Sequence, residues 1–175
     1  MLNEIYLQMV RTSEQYQEIL KMMKTEKGIR EIFFDKEDRL FCNEVCLLIK
    51  KERETIGFLY LTVESIPGIL FLDMGIKEKY RGLGIAKLMC QELINRITTE
   101  KFIIAETTKE NAKANASALY NGILVYDTDN LNYYLIDKTR EQEFKNSNLY
   151  NNFISYCNSE KPKQYQFIRQ LRDET

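Results

Sequence analysis

The chain has 175 residues, 44% of them hydrophobic, with 25 basic and 26 acidic side chains and a formal net charge of −1. That apolar content suits one domain with a real core, and the near balance of charge argues against a general nucleic-acid binder, which carries a strongly basic face. The count of histidines is 0, which excludes Ser-His and Cys-His nucleophilic machinery and leaves Glu, Asp, Tyr, Lys, a backbone group or a water relay as the general base.

No stretch approaches the roughly eighteen apolar residues that cross a bilayer. Residues 1–10 lack the basic-then-apolar layout of a signal peptide, so the expectation is a cytoplasmic protein without a membrane partner. Cys42, Cys46, Cys90 and Cys157 are scattered, with no Cys-X-X-Cys pair. A metal site would need carboxylates or thiolates alone, and none is expected.

In chain order, residues 5–10 read as a first strand. Ser13 is an N-cap candidate with Glu14 beside it, opening a helix through Tyr16, Ile19, Leu20 and Met23. Gly28 ends or interrupts that helix, and residues 29–34 read as a second helical segment. Residues 45–50 and 54–64 read as two strands joined by the charged tip Lys51-Glu52-Arg53. Pro67-Gly68 is a turn, because proline presets one central residue and glycine supplies positive φ at the next. The fourth strand, residues 69–76, is apolar almost throughout, the pattern of a central strand covered on both faces. Asp73 is its exception: either it meets water at the strand's open end, or it is a carboxylate lining a substrate cleft.

The turn that follows, Tyr80-Arg81-Gly82-Leu83-Gly84-Ile85-Ala86, is the most informative stretch. It joins a buried strand to the start of a helix over residues 85–97, whose Leu88, Met89, Leu93, Ile94 and Ile97 recur at core-facing spacing. The first amides of a helix lack intrahelical partners and carry the positive end of the dipole, so a pyrophosphate can sit on them. Glycine at 82 and 84 removes the Cβ atoms that would hold a ligand off the backbone, and Arg81 adds positive charge. The dinucleotide fingerprint fits poorly, since Lys87 occupies the third glycine position, and no Gly-Lys-Ser/Thr completes a nucleoside-triphosphate loop. The bland alternative is a tight connection and nothing more.

Residues 102–105 read as a fifth strand, parallel to the fourth because a helix crosses back between them, with Glu106 at its end. The alanine-rich run 111–118 is helical by propensity, and Gly122 closes it. Residues 124–126 and 131–136 read as a last hairpin around Asp127-Thr128-Asp129-Asn130, whose carboxylates would attract a cationic amine or serve only the turn. Beyond it, Phe144, Leu149, Phe153, Ile154 and Cys157 suggest one helix. Pro162 marks a break, and Tyr165, Ile168 and Leu171 suggest a second helix. These apolar residues must cover their own sheet or a second subunit.

Arg81, Gly82-Leu83, Gly84, Ile85 and Ala86, led in by Tyr80, resemble the acetyl-coenzyme A loop of the GCN5-related N-acetyltransferase (GNAT) family. The order of strands and helices over residues 5–136 is similar to that family's as well. The resemblance implies an α/β fold: a mixed, mostly antiparallel central sheet with parallel, splayed fourth and fifth strands, flanked by helices. An acetyltransferase domain at 1–137 would carry a C-terminal helical extension at 138–175, packed on the same domain or at a homodimer interface. It implies that the pantetheine arm of acetyl-coenzyme A pairs with the backbone of Met74, Gly75 and Ile76, and that Arg81 to Ala86 hold the pyrophosphate.

The second family element is the one by which the chain resembles the ribosomal-protein N-terminal acetyltransferases when read without gaps. It puts Glu106 on the acidic position, Asn111 on the helix-opening Asn and Gly122-Ile123 on Gly-Phe. The same register places Ala118, not a tyrosine, at the general-acid position. Tyr120 lies two residues on, about 200° round a helix, and would need a local bulge or shifted register to reach the thiolate. Asn115 would then replace Asn111 against the cofactor. With burial raising its pKa, Glu106 is the expected base; Tyr120 is the expected acid. The implied activity is transfer of acetyl from acetyl-coenzyme A to a primary amine, small-molecule or peptide, by direct attack in a ternary complex. The alternative is a catalytically weak acetyl-coenzyme A sensor or scaffold.

Overall fold

The computed structural model describes residues 4–29, 45–62, 66–96 and 101–159. Its strands are β1 (Ile5–Met9), β2 (Val45–Lys51), β3 (Glu54–Thr62), β4 (Ile69–Ile76), β5 (Phe102–Thr108), β6 (Gly122–Asp127) and β7 (Leu131–Ile136). Its helices are α1 (Ser13–Thr25), α2 (Ile85–Arg96), α3 (Ala112–Asn121), α4 (Glu141–Lys145) and α5 (Leu149–Cys157). The strands make one sheet in the order β1-β2-β3-β4-β5-β7-β6. Only β4 and β5 run parallel; the other neighbours are antiparallel. The expected mixed α/β architecture is the observed one.

Alternation along each strand sorts side chains to two faces. One face carries Leu47, Leu59, Leu70, Leu72, Ile103, Ala105 and Tyr134, covered by Ile85, Met89 and Leu93 of α2 and Ala118 of α3. The other face is shared. Ile19, Met22 and Met23 of α1 cover Leu48, Phe58 and Tyr60, while Phe144, Phe153, Tyr156 and Cys157 of the C-terminal helices cover Ile69, Phe71, Ile104 and Tyr133. β4 is therefore buried from both sides along its first half, which is why its sequence shows no alternation.

Several boundaries differ from the sequence expectation. Thr12, not Ser13, caps α1. Its extended backbone lets the hydroxyl accept from the Gln15 amide while the Gln15 side chain accepts from the Thr12 amide, a reciprocal capping box. α1 ends at Thr25, before Gly28, which instead supplies a positive φ of 76° in the following turn.

β5 runs on past Glu106 to Thr108, because Glu106, Thr107 and Thr108 pair with Tyr133, Asn132 and Leu131 after pairing with β4 has stopped. The C-terminal apolar residues lie on two helices rather than one. The Ser147 hydroxyl donates to the Phe144 carbonyl and its own carbonyl accepts from Tyr150, so a turn separates α4 from α5. Cys46, Cys90 and Cys157 are buried thiols. The expected segment beyond Ile29, Cys42, Pro162, Tyr165, Ile168 and Leu171 lie outside the described residues.

Candidate active site

β4 and β5 are paired from Ile69–Phe102 to Leu72–Ala105 and then part. From Asp73 onward β4 pairs only with β3, on its other side, so its edge toward β5 has no strand partner. A cleft of about 1010 Å³ opens there. It is lined from one face of the sheet by Leu72, Met74, Ile76 and Ala105, and from the opposite face by Asp73 and Glu106. The cleft thus passes through the sheet.

At its first end lies the glycine turn. Gly82 and Gly84 have φ of 77° and 78°, and a Cβ on either would meet no atom within 4 Å. Backbone conformation, not packing, requires glycine here, and the space beside both is open to a ligand. The Gly84 carbonyl accepts the first helical bond from Leu88, leaving the amides of Ile85, Ala86 and Lys87 at the N-terminus of α2 without intrahelical partners. Gly82, Gly84, Ile85 and Ala86 all line the cleft. The chain thus presents an open strand edge and an anion-binding helix start on one path, a donor set that fits the amide-bearing arm and pyrophosphate of a coenzyme A thioester.

The turn is anchored from behind. The Tyr80 hydroxyl donates to Glu54 at 2.5 Å, and Lys79 pairs with the same carboxylate at 2.8 Å. Hydrogen bonds from Lys79 and Tyr80 hold the Glu54 carboxyl down to a pKa of about 2. Arg81, expected to add positive charge to the turn, lines the cleft and is held in place. Its guanidinium folds back, donating to the carbonyls of Ile76 and Lys27 at 2.8 Å each. A Cβ on Gly28 would lie 2.4 Å from that guanidinium, so glycine at 28 makes room for the clasp.

The remaining expected cofactor contacts divide. Met74 and Ile76 line the cleft, and so does Asn111, which caps α3 by accepting from the Ala114 amide. Gly75 instead faces the core, where a Cβ would press on the Phe58 ring at 2.7 Å. Leu83 is exposed outside the lining. Asn115 is consumed by the fold. Its oxygen accepts from Asn132 and Tyr134 at 3.0 and 2.9 Å, and its amide donates to the carbonyls of Thr108 and Asn111 at 3.0 and 2.9 Å.

On the far face, register sets a row across the sheet. Tyr60 stands opposite Asp73, and Glu106 opposite Tyr133; Asp73 and Glu106 are the first residues past the last β4–β5 couple. Both carboxylates are half-buried, so Asp73 lines the cleft rather than standing in bulk water. Burial and the facing Glu106 carboxylate push the Tyr133 phenol far above its ordinary range.

Tyr120 is 59% exposed, outside the cleft lining, with the Lys87 ammonium 4.6 Å from its ring centre. The α3 residues that line the cleft include Ser117 and Ala118. Sequence reasoning missed Ser117; its signal was adjacency to Ala118, the position that the family register marks. Among the described residues no group of His, Cys, Asp and Glu is arranged to hold a metal ion, and no helix is long and apolar enough to cross a membrane.

The sequence matches the acetyltransferase (GNAT) family over residues 10–120. No curated protein sequence matches the chain. Among solved structures, it is similar to an aminoglycoside N(6')-acetyltransferase of Legionella pneumophila at 11% identity and a TM-score of 0.62, over 80% of this chain and 95% of that one. It is also similar to the spermidine N-acetyltransferase of Vibrio cholerae in complex with coenzyme A and spermine, at 14% identity, a TM-score of 0.61 and coverage of 80% and 99%. A third is the N-acetyltransferase PseH of Campylobacter jejuni in complex with acetyl coenzyme A, at 17% identity, a TM-score of 0.53 and coverage of 77% and 99%. At these identities the likeness is one of fold.

Proposed function

Because this chain belongs to the GNAT acetyltransferase family, we propose that it is an acetyl-coenzyme A-dependent N-acetyltransferase that acts on a primary amine by direct transfer. The observation that carries the reading is the cleft through the sheet, with an anion-binding helix start on one side and two carboxylates on the other. The amides at 82–87 would hold the pyrophosphate and the open edge of β4 at Met74 and Ile76 the pantetheine arm. The bound thioester supplies the activated acetyl group.

Within that frame Glu106 accepts a proton from the acceptor's ammonium, directly or through a water, so that the neutral amine attacks. Ser117, a residue of α3 that lines the cleft, donates a hydrogen bond from its hydroxyl to the departing thiolate, the role expected of Tyr120. Asp73 is a second carboxylate on the acceptor side, and it favours an amine carrying further positive charge. Two of the similar structures are named for acting on spermidine and on aminoglycosides, both polycationic, and that chemistry suits the pair.

One observation favours the sensor alternative: Ala118 lies where the family register puts the acid. Calorimetric titration with acetyl-coenzyme A, followed by turnover on a panel of polyamines, aminoglycosides and peptide amines, decides between them. Micromolar binding with turnover supports the enzyme, binding without turnover supports the sensor, and no binding overturns both.

A further inference from the structure

The C-terminal helices cover more than a sheet face. Tyr133, directly opposite Glu106 in the β5–β7 register, is 0% exposed. Its ring packs edge-on against Phe153 of α5 at 5.7 Å and lies 6.5 Å from Tyr126. Its hydroxyl is buried without a hydrogen bond of full geometry, and the carboxylate it faces is Glu106. The Cys157 thiol of α5 faces both Tyr133 and Glu106, and burial keeps it protonated. Ring packing fixes where the phenol oxygen sits, and a buried Tyr O–H usually finds a hydrogen-bond partner.

We propose that Tyr133 is a positioning residue that donates its hydrogen bond to the ionised Glu106 carboxylate, and that α5 is part of the active site because it fixes Tyr133 in place. This rests on the reading of Glu106 as the base. Among the described residues, Tyr133 of β7 and Cys157 of α5 face Glu106, Asp73 is the first β4 residue past the paired seam on the same face of the sheet, and Tyr156 of α5 lies near Tyr133. Tyr133 is a donor, and a hydrogen bond donated to a carboxylate stabilises its ionised form. A protonated Glu106 cannot accept the ammonium proton, so the donor widens the pH range in which the base works. A hydrogen bond to a charged group is worth enough to move a pKa by about one unit.

The test follows the Glu106 side-chain carboxyl by carbon-13 NMR across pH in the full chain, its signal identified by its loss in Glu106→Gln. In Tyr133→Phe the Glu106 pKa should rise by about one unit, and the acidic limb of kcat/KM should move with it while the affinity for acetyl-coenzyme A stays unchanged. Phe153→Leu, which keeps the core filled but loosens the wall, should shift it in the same direction by less. An unchanged Glu106 titration in Tyr133→Phe overturns the proposal. Because the titration needs no turnover, it stands apart from the functional reading, which fails separately if Glu106→Gln transfers acetyl at full rate. Tyr133→Phe keeps the ring and removes one hydrogen bond, so it should melt within a few degrees of the native chain; a collapse of the fold would show the hydroxyl to be structural and also overturn the assignment.

Discussion

Lys87 holds its ammonium 4.6 Å from the ring centre of Tyr120, and the neighbouring Asn121 amide donates to the Lys87 carbonyl at 2.6 Å. The two contacts tie the end of α3 to the start of α2 and keep the helix tyrosine on the outer side of the joint, away from the cleft. Tyr120→Phe keeps the ring under the ammonium and should leave kcat within about twofold. Ser117→Ala should lower kcat by about ten- to a hundredfold, the value of one hydrogen bond to a charged group. Steady-state kinetics on both variants checks the assignment; a large loss in Tyr120→Phe would return the acid role to the tyrosine.

Gly84 has a φ of 78° and open space where a Cβ would point. Gly84→Ala should cost about 1 kcal/mol in stability through backbone strain and weaken acetyl-coenzyme A binding. Gly84→Glu should abolish binding by placing a carboxylate against the helix amides. Calorimetry beside a melting curve separates the two effects, and native-like affinity in a folded Gly84→Glu would remove the turn from the cofactor site.

Glu106 and Asp73 should part company in kinetics. Glu106→Gln should lower kcat/KM by about 10²–10⁴ with cofactor affinity unchanged, the range for loss of a general base. Asp73→Asn should chiefly raise KM for a polycationic acceptor, with less effect on a monoamine, and should flatten the salt dependence of kcat/KM. Equal effects on both acceptors would show that Asp73 does not read charge.

Glu54 gives a pH prediction. Its carboxyl titrates at about 2 in the fold, against an ordinary 4.5, because Lys79 and Tyr80 donate to it. A lowered folded pKa contributes stability above the unfolded value and loses it as pH falls from about 4.5 toward 2. The group is exposed and screened, so the contribution stays below about 1 kcal/mol. Glu54→Gln should melt slightly below the native chain at pH 7, and the two should converge near pH 2. A gap that persists in acid would point to packing instead.

The parts of the site legible in the sequence are local. Gly82 and Gly84 announce themselves because strand, turn and helix are contiguous, and positive φ is a property of single residues. Long-range pairing hid the rest. Glu106 reads as a strand terminus since the apolar run stops at Ala105, yet β5 continues because β7 pairs with it there. Asn115 looks like a spare polar residue on a helix until Asn132 and Tyr134, brought in by β7, take up its oxygen. Tyr133 is indistinguishable in sequence from the core tyrosine beside it; only the register shows that it faces a carboxylate. The row Tyr60, Asp73, Glu106, Tyr133 is drawn from separate strands and has no one-dimensional trace.

The seam at Ile69–Leu72 and Phe102–Ala105 has a mechanical consequence. Among the described residues it is the backbone ladder that joins the β1–β4 half of the sheet to the β5–β7 half, with α1 riding on the first half and the C-terminal helices straddling the seam from Ile69 and Phe71 to Ile104 and Tyr133. Helices brace that seam from both sides, Ile85, Met89 and Leu93 on one face and Tyr156 against Phe71 on the other, so the wedge between the free ends of β4 and β5 is a rigid notch held open by packing behind it.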